Sequence, residues 1–328
     1  MSGFVEVSTD MSGKPFTADT FLQQFRKSNS DWWHSSNGTE LCTWVFRGQS
    51  DQSWGLVPSA FRTPKFNKLS PLIEKIRKNQ EFGHEWFVRQ NDKFKQAAYH
   101  YYACYEAVRE FYQLALEIGL TDKVINLSDP FGLIGSTGRD RDYELYKFCT
   151  HEIVGLAQHH GVPTPFLDWT RKPEIAVHFA TELPKDKKLT DIAVFALNIG
   201  SNQSPIRPDV YPENILSGYI LNNENKYKRL PFEIKFDAPA KNSYLAAQHG
   251  IFTLPKSLNY YFASGEMQPL CEYISIKEKE NTILKKFVLN KDEVPNLRKL
   301  LDRDGITEAH LKPSFDGVAS SIISRWNY

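Results

Sequence analysis

Apolar residues along this chain recur at two spacings, one typical of strands and one of helices. Thr43-Trp44-Val45-Phe46-Arg47-Gly48-Gln49 is a run of aromatic and β-branched residues, a strand pattern. Phe166-Leu167 reads as a strand end that leads into a tight turn. Beyond the turn, Ile175, Ala176, Phe179 and Ala180 repeat at helical spacing, and Pro173 suits the first turn of that helix. Asp168 and Thr170, just before it, are capping residue types. Asp191–Asn198, Gly250–Leu254 and Phe287–Leu289 also read as strands.

Helical patterns fill much of the rest. Thr17–Ser28 predicts a short helix with Phe21, Leu22 and Phe25 on its apolar side. Residues 69–120 are largely free of Gly and Pro and predict two or three helices, read as an insertion packed on one side of the domain. Tyr143–Gly161 is helical by pattern, and Glu293–Asp304 predicts a helix stopped by Gly305. Ser128–Asp142 reads as a loop, and Asn222–Arg229 as a polar, basic one. His100, Tyr101, Tyr102, Tyr105, Phe111 and Tyr112 form an aromatic stripe in the helical region; helix packing is the simpler reading, a base-stacking surface the other.

Composition narrows the classes. The 328 residues suffice for one large core or two modest ones. Net charge is +1, so there is no global field to recruit nucleic acid, and any basic surface must be local. The basic clusters Arg139, Arg141, Lys147 and Lys226, Lys228, Arg229 are where such a surface would be sought. Cys42, Cys104, Cys149 and Cys271 lie far apart with no metal-ligand spacing, which favours reduced thiols and no metal site. No apolar run has the length of a signal peptide or a membrane span. A cytoplasmic protein with no membrane partner is the expectation.

Two segments concentrate the chemistry. Arg47 interrupts an apolar strand, and Gly48 lets another group approach the backbone closely. The run Gln158-His159-His160-Gly161-Val162-Pro163-Thr164-Pro165-Phe166-Leu167-Asp168-Trp169-Thr170 is denser in polar and aromatic residues than a core requires. A strand that delivers polar residues to a helix N-terminus favours an anionic ligand. His159 and His160 are a phosphate contact, a general base or a structural pair; Asp168 is an acid, a cap or a partner for Arg47. Trp169 stacks on a ligand or plugs the core, and Thr170 bonds a ribose or caps the helix.

Three separated motifs resemble the FRG family, in the family's order. They are Phe46-Arg47-Gly48-Gln49 with Trp54, Leu56, Pro58 and Arg62; Gln158-His159, Gly161, Thr164 and Leu167–Thr170 with Ala176–Ala180; and Ala247-Gln248-His249-Gly250-Ile251-Phe252-Thr253. Pro165 stands where that family more often has arginine. The motif order is also similar to that of ADP-ribosyltransferases. The resemblance implies one α+β domain over residues 1–328, with a split, mostly antiparallel central sheet and the 69–120 helical insertion. The strands near Arg47, Phe166 and Phe252 are expected to meet around one cleft.

The resemblance further implies that NAD is a substrate and that ADP-ribose passes to a macromolecule. RNA or DNA is preferred to protein as acceptor, and the setting is a toxin in bacterial anti-phage defence, with an antitoxin as a possible partner. The alternative is a non-catalytic module that binds a nucleotide or nucleic acid. Arg47, Gly48, Gln49, His159, Thr164, Trp169, Thr170 and Phe179 are the implied NAD contacts. Arg47 suits a pyrophosphate, and Trp169 or Phe179 a nicotinamide ring. Gln248, Asp168 and Arg47 are the implied catalytic set. Gln248 stands where ADP-ribosyltransferases usually have a glutamate. It can orient a hydroxyl but carries no charge, so Asp168 becomes the leading acid, with Glu152 and Glu174 nearby in sequence.

Overall fold

The structure, a computed structural model, describes residues 5–36, 39–62, 68–79, 85–121, 152–182, 189–199, 232–235, 243–255, 261, 264–272 and 283–326. Its centre is a seven-stranded sheet in the order β1-β9-β6-β4-β5-β8-β7. The strands are β1 (Val5–Val7), β4 (Trp44–Gln49), β5 (Leu167–Thr170), β6 (Ile192–Asn198), β7 (Phe232–Lys235), β8 (Gly250–Pro255) and β9 (Leu284–Leu289), while β2 (Trp33–Ser36) and β3 (Thr39–Cys42) pair as a separate ribbon. β1 runs parallel to β9, and the other pairings in the sheet are antiparallel. The predicted strands near Arg47, Phe166 and Phe252 are the adjacent β4, β5 and β8.

The sheet parts in the middle. β4 pairs with β6 in unbroken register from Trp44↔Asn198 to Gln49↔Ala193, but it meets β5 in register at a single point, Phe46↔Thr170. β5 in turn pairs along its whole length with β8, from Leu167↔Thr253 to Thr170↔Gly250. The strands β4 and β5 therefore diverge beyond their one bridge, and Arg47 and Asp168 stand at the divergence.

The two sheet faces are covered differently. Phe46, Val194, Ala196, Phe287 and Leu289 face helices Ala18–Gln24, Pro173–Thr181 and Val294–Arg303. Phe25, Trp32, Phe46 and Phe287 meet there mostly edge to face, with centroids 5.0–6.3 Å apart; such pairs each add about 0.5–1.5 kcal/mol beyond area burial. Val45, Leu167, Trp169, Phe195, Leu197 and Ile251 lie on the opposite face with Leu56 and Leu270. This alternation follows from the two-residue side-chain period of a strand.

Among the described residues the helical region holds three helices, Ser70–Asn79, Glu85–Val88 and Asp92–Glu117. With helix Glu152–His159 it forms a third cluster that packs on Phe166 and Phe252. Tyr101, Tyr105 and Tyr112 are buried in that cluster, and Tyr102 and Phe111 lie against it, so the aromatic stripe is packing. Thr17 caps helix Ala18–Gln24 in a reciprocal capping box with Thr20. Gly305, at φ 75°, follows helix Val294–Arg303, as its pattern predicts. The loops at 128–142 and 222–229, the start of the Tyr143–Gly161 pattern and both basic clusters lie outside the described residues. Among the described residues no helix is long and apolar enough to cross a membrane, no group of three His, Cys, Asp or Glu could hold a metal, and Cys42, Cys104 and Cys271 are free thiols.

Candidate functional site

Arg47 enters the divergence from β4. Its Nη1 donates to Asp168 Oδ1 at 2.6 Å and to the Asp168 main-chain oxygen at 2.8 Å. The Arg47 side chain is only 10% exposed, whereas that of Asp168 is 63% exposed. The arginine is thus held inside while the carboxylate stays open to water. Nε of Arg47 is shielded from solvent and has no hydrogen-bond partner among the described residues. A buried, unpaired charged donor is costly unless something else occupies it.

Arg62 adds a second guanidinium. Its Nε donates to the Val57 carbonyl at 3.4 Å. Burial lowers its pKa, the Arg47 charge lowers it further, and Asp168 opposes both. At Asp168, crowding by protein pushes the carboxyl pKa up, but the charge and hydrogen bond of Arg47, with Arg62 behind it, hold it below the usual value of 3.8. Two guanidinium groups thus share one ionised carboxylate, leaving a local positive surplus.

A polar relay approaches Asp168 from the other side. Helix Glu152–His159 ends in a turn in which Gly161 N donates to Gln158 O and Val162 N to Ala157 O, both at 2.9 Å, with Gly161 at φ 86°. This turn sends the chain back past Gln158. Thr164 Oγ1 then donates to Gln158 Oε1, and Gln158 Nε2 donates to Asp168 Oδ1 at 3.2 Å. Thr164 is fully buried and tied to the 59–60 turn: its N–H donates to Ser59 Oγ, and its carbonyl accepts from Ala60 N, both at 3.3 Å.

His159 is half-buried next to this relay. Desolvation, then the charges of His160 and Lys312, push its pKa down to about 4, against a pull upward from Asp168. It is therefore neutral at pH 7 and fits a hydrogen-bonding role better than a cationic one. His160 is exposed and stacks on Phe111 at 6.1 Å.

The other residues singled out from sequence are placed elsewhere. Gly48 is not open to a ligand; a Cβ there would fall on the Ala176 carbonyl oxygen and stand 2.5 Å from Ala180 N, so the group it admits is helix Pro173–Thr181. Gln49 is buried, its Nε2 donating to the Gly55 carbonyl at 3.4 Å. Trp169 is 3% exposed, packed with Val45 and Leu56, its Nε1 donating to Thr253 Oγ1 at 2.9 Å. It plugs the core. Phe179 is half-buried beside His178. Asp168 does not cap the following helix, whose N-cap is Lys172. Thr170 steadies that start instead, accepting from Lys172 N at 3.1 Å and donating to the Gln248 carbonyl at 2.6 Å.

Gln248 ends helix Ser243–Gln248, ahead of β8 rather than on it. His249, at φ 49°, makes the turn. Gln248 Nε2 donates to the Leu311 carbonyl at 3.1 Å, so its amide nitrogen is engaged by backbone. One cluster lies outside the residues singled out from sequence: Lys312 Nζ lies 3.3 Å from Glu182 and 2.9 Å from Glu308, the latter at helical spacing. Beside it, burial pushes the His178 pKa down to about 4, and His178 Nδ1 is buried without a partner among the described residues.

The segment that carries Gln158, Thr164, Asp168 and helix Pro173–Thr181 resembles a known domain. Residues 136–189 match the family model of the FRG domain. The FRG match thus covers the relay and the helix that packs on Gly48, while Arg47, Arg62 and Gln248 are brought to it from outside the matched span. No curated protein and no solved structure matches the chain.

Proposed function

We propose that the divergence between β4 and β5 is a nucleotide site and that the chain is an NAD-dependent, ADP-ribosyltransferase-like enzyme. The observation that carries this reading is the exposed, ionised carboxylate of Asp168 beside the guanidinium groups of Arg47 and Arg62. A dinucleotide needs cations for its pyrophosphate, and arginine's fork suits phosphate oxygens. Cleavage of the nicotinamide–ribose bond builds positive charge on the anomeric carbon, which a fixed carboxylate stabilises.

In this scheme Arg47 and Arg62 hold the pyrophosphate and Asp168 faces the ribose. Nicotinamide leaves with the bonding electron pair, an acceptor oxygen or nitrogen bonds to the anomeric carbon, and the acceptor's proton passes to water. A nucleic acid is the preferred acceptor, and a toxin in bacterial anti-phage defence, restrained by an antitoxin, is the setting that the motif resemblance supports.

A second reading is a non-catalytic nucleotide-binding module. The engagement of Gln248 with the Leu311 carbonyl favours it, because no carboxylate stands at that position. Titration of NAD and of ADP-ribose into the protein tests what both readings share. Both ligands should bind, and Arg47→Lys should weaken each by tenfold or more. Failure of both to bind the unaltered protein removes the nucleotide site.

A further inference from the structure

Asp168 is held asymmetrically. Its Oδ1 accepts from Arg47 Nη1 at 2.6 Å and from Gln158 Nε2 at 3.2 Å, while Oδ2 accepts no hydrogen bond from another residue among the described ones. Gln158 is itself held at its other end, its Oε1 accepting from the buried Thr164 hydroxyl. Thr164 is anchored in turn through Ser59 and Ala60. An amide that accepts at one end and donates at the other cannot rotate freely, and its orientation fixes which atom faces the carboxylate. The chain of contacts runs from a turn at 59–60, through Thr164 and Gln158, to one oxygen of one carboxylate.

We propose that Gln158, oriented by Thr164, is a positioning residue that locks Asp168 by Oδ1 and leaves Oδ2 as the oxygen presented to the ligand. The inference rests on the transferase reading for its catalytic meaning, but the lock itself is a property of the protein alone. Gln158 itself touches no ligand. It acts by preventing Asp168 from turning its second oxygen toward Arg47, which would close a two-oxygen pair and withdraw the carboxylate from the cleft. The charged and titratable groups that face Asp168 are Arg47, Arg62 and His159, and Gln158 is the neutral member of that ring.

Two substitutions separate positioning from packing. Gln158→Glu keeps the shape and puts a second carboxylate against Asp168, and Thr164→Val keeps the shape and removes the hydroxyl. In nicotinamide release from NAD, Gln158→Glu should move the acid limb of the pH profile upward by about one unit or more, since a like charge at this distance disfavours ionisation. Thr164→Val should lower kcat by tenfold or more with KM changed less than twofold. A purely structural role would lower the melting temperature of Thr164→Val and leave its kcat within twofold; an unchanged kcat in Thr164→Val overturns the proposal, and so does an unmoved acid limb in Gln158→Glu.

If the unaltered protein releases no nicotinamide, the transferase reading falls, and the lock is read from NMR titration of 13C-labelled aspartate. The Asp168 carboxyl midpoint should then rise in Gln158→Glu. An unchanged midpoint overturns the positioning role independently of catalysis.

Discussion

Gly48 and Ala176 pack backbone to backbone: a Cβ on Gly48 would fall on the Ala176 carbonyl oxygen, with Ala180 N 2.5 Å away. The glycine that follows Arg47 therefore lets a helix lie directly on β4, and the helix in turn braces the strand that carries the arginine. Gly48→Ala should destabilise the protein by about 1–3 kcal/mol or more, because neither partner is a flexible side-chain end. Urea unfolding checks this. A ligand role for Gly48 expects the reverse, a loss of binding at unchanged stability.

The Arg47–Asp168 pair should behave as a half-exposed pair. Its carboxylate is open to water, so Asp168→Asn should cost about 1 kcal/mol or less and shift the melting temperature by a few degrees. Arg47→Lys keeps the charge but loses the fork, so its larger effect should be on NAD and ADP-ribose affinity. Thermal melts and ligand titrations on the same two variants check both statements. Large, equal stability losses in both would make the pair a structural element and nothing more.

Much of this arrangement is legible in the sequence, and the limits have physical causes. The strand of Arg47, the strand and helix around Asp168 and the helices of the 69–120 region follow from local periodicity, which one chain segment carries by itself. The Arg47–Asp168 contact appears in the sequence as one alternative among several. What decides it is the single bridge Phe46↔Thr170, a register that no local pattern encodes. The neighbouring Trp169 is turned into the core, where its indole donates to Thr253 instead of meeting a ligand. Gly48 is recognisable as a close-approach position, but the approaching group is a helix more than a hundred residues on. The pair Glu308–Lys312 has helical spacing, but Glu182, the third member of that cluster, is 130 positions from Lys312 and leaves no local trace. Gln158 stands in the motif, yet its partners Thr164 and Asp168 follow no helical or strand spacing.

Gln248 should prove structural. Its amide donates to the Leu311 carbonyl, so Gln248→Ala should lower stability by about 1 kcal/mol and leave NAD binding within a few-fold. Gln248→Glu replaces that donor with an acceptor facing a carbonyl and should be the less stable of the two. Chemical denaturation with parallel ligand titration checks this. Loss of NAD cleavage in a stable Gln248→Ala protein would restore Gln248 to the catalytic set.

Stability should fall as pH drops from about 6.5 toward 4. The pKa values of His100, His159 and His178 are each pushed down from 6.5 to about 4, chiefly by burial. In that window the unfolded chain binds protons that the folded protein refuses, so the stability present above pH 6.5 is progressively lost as pH falls through the folded values. His100 has the clearest structural reason: as a neutral ring it donates from Nε2 to the Ala60 carbonyl and accepts at Nδ1 from the Tyr261 hydroxyl. Its share is at most about 3 kcal/mol. Asp168, with its pKa lowered, adds a further loss only below about pH 4. Melting temperatures measured from pH 7.5 to 4 should decline through this range and show little slope above pH 7.

If Asp168 and the two arginines act on NAD, nicotinamide release from NAD labelled in the nicotinamide ring reads that action. The unaltered protein should release nicotinamide over time, and Asp168→Asn should slow that release at least a hundredfold with the fold and ADP-ribose binding intact. Release at an equal rate by Asp168→Asn would contradict the role given to this carboxylate. NAD that binds tightly and is never cleaved would leave the chain a nucleotide-binding module.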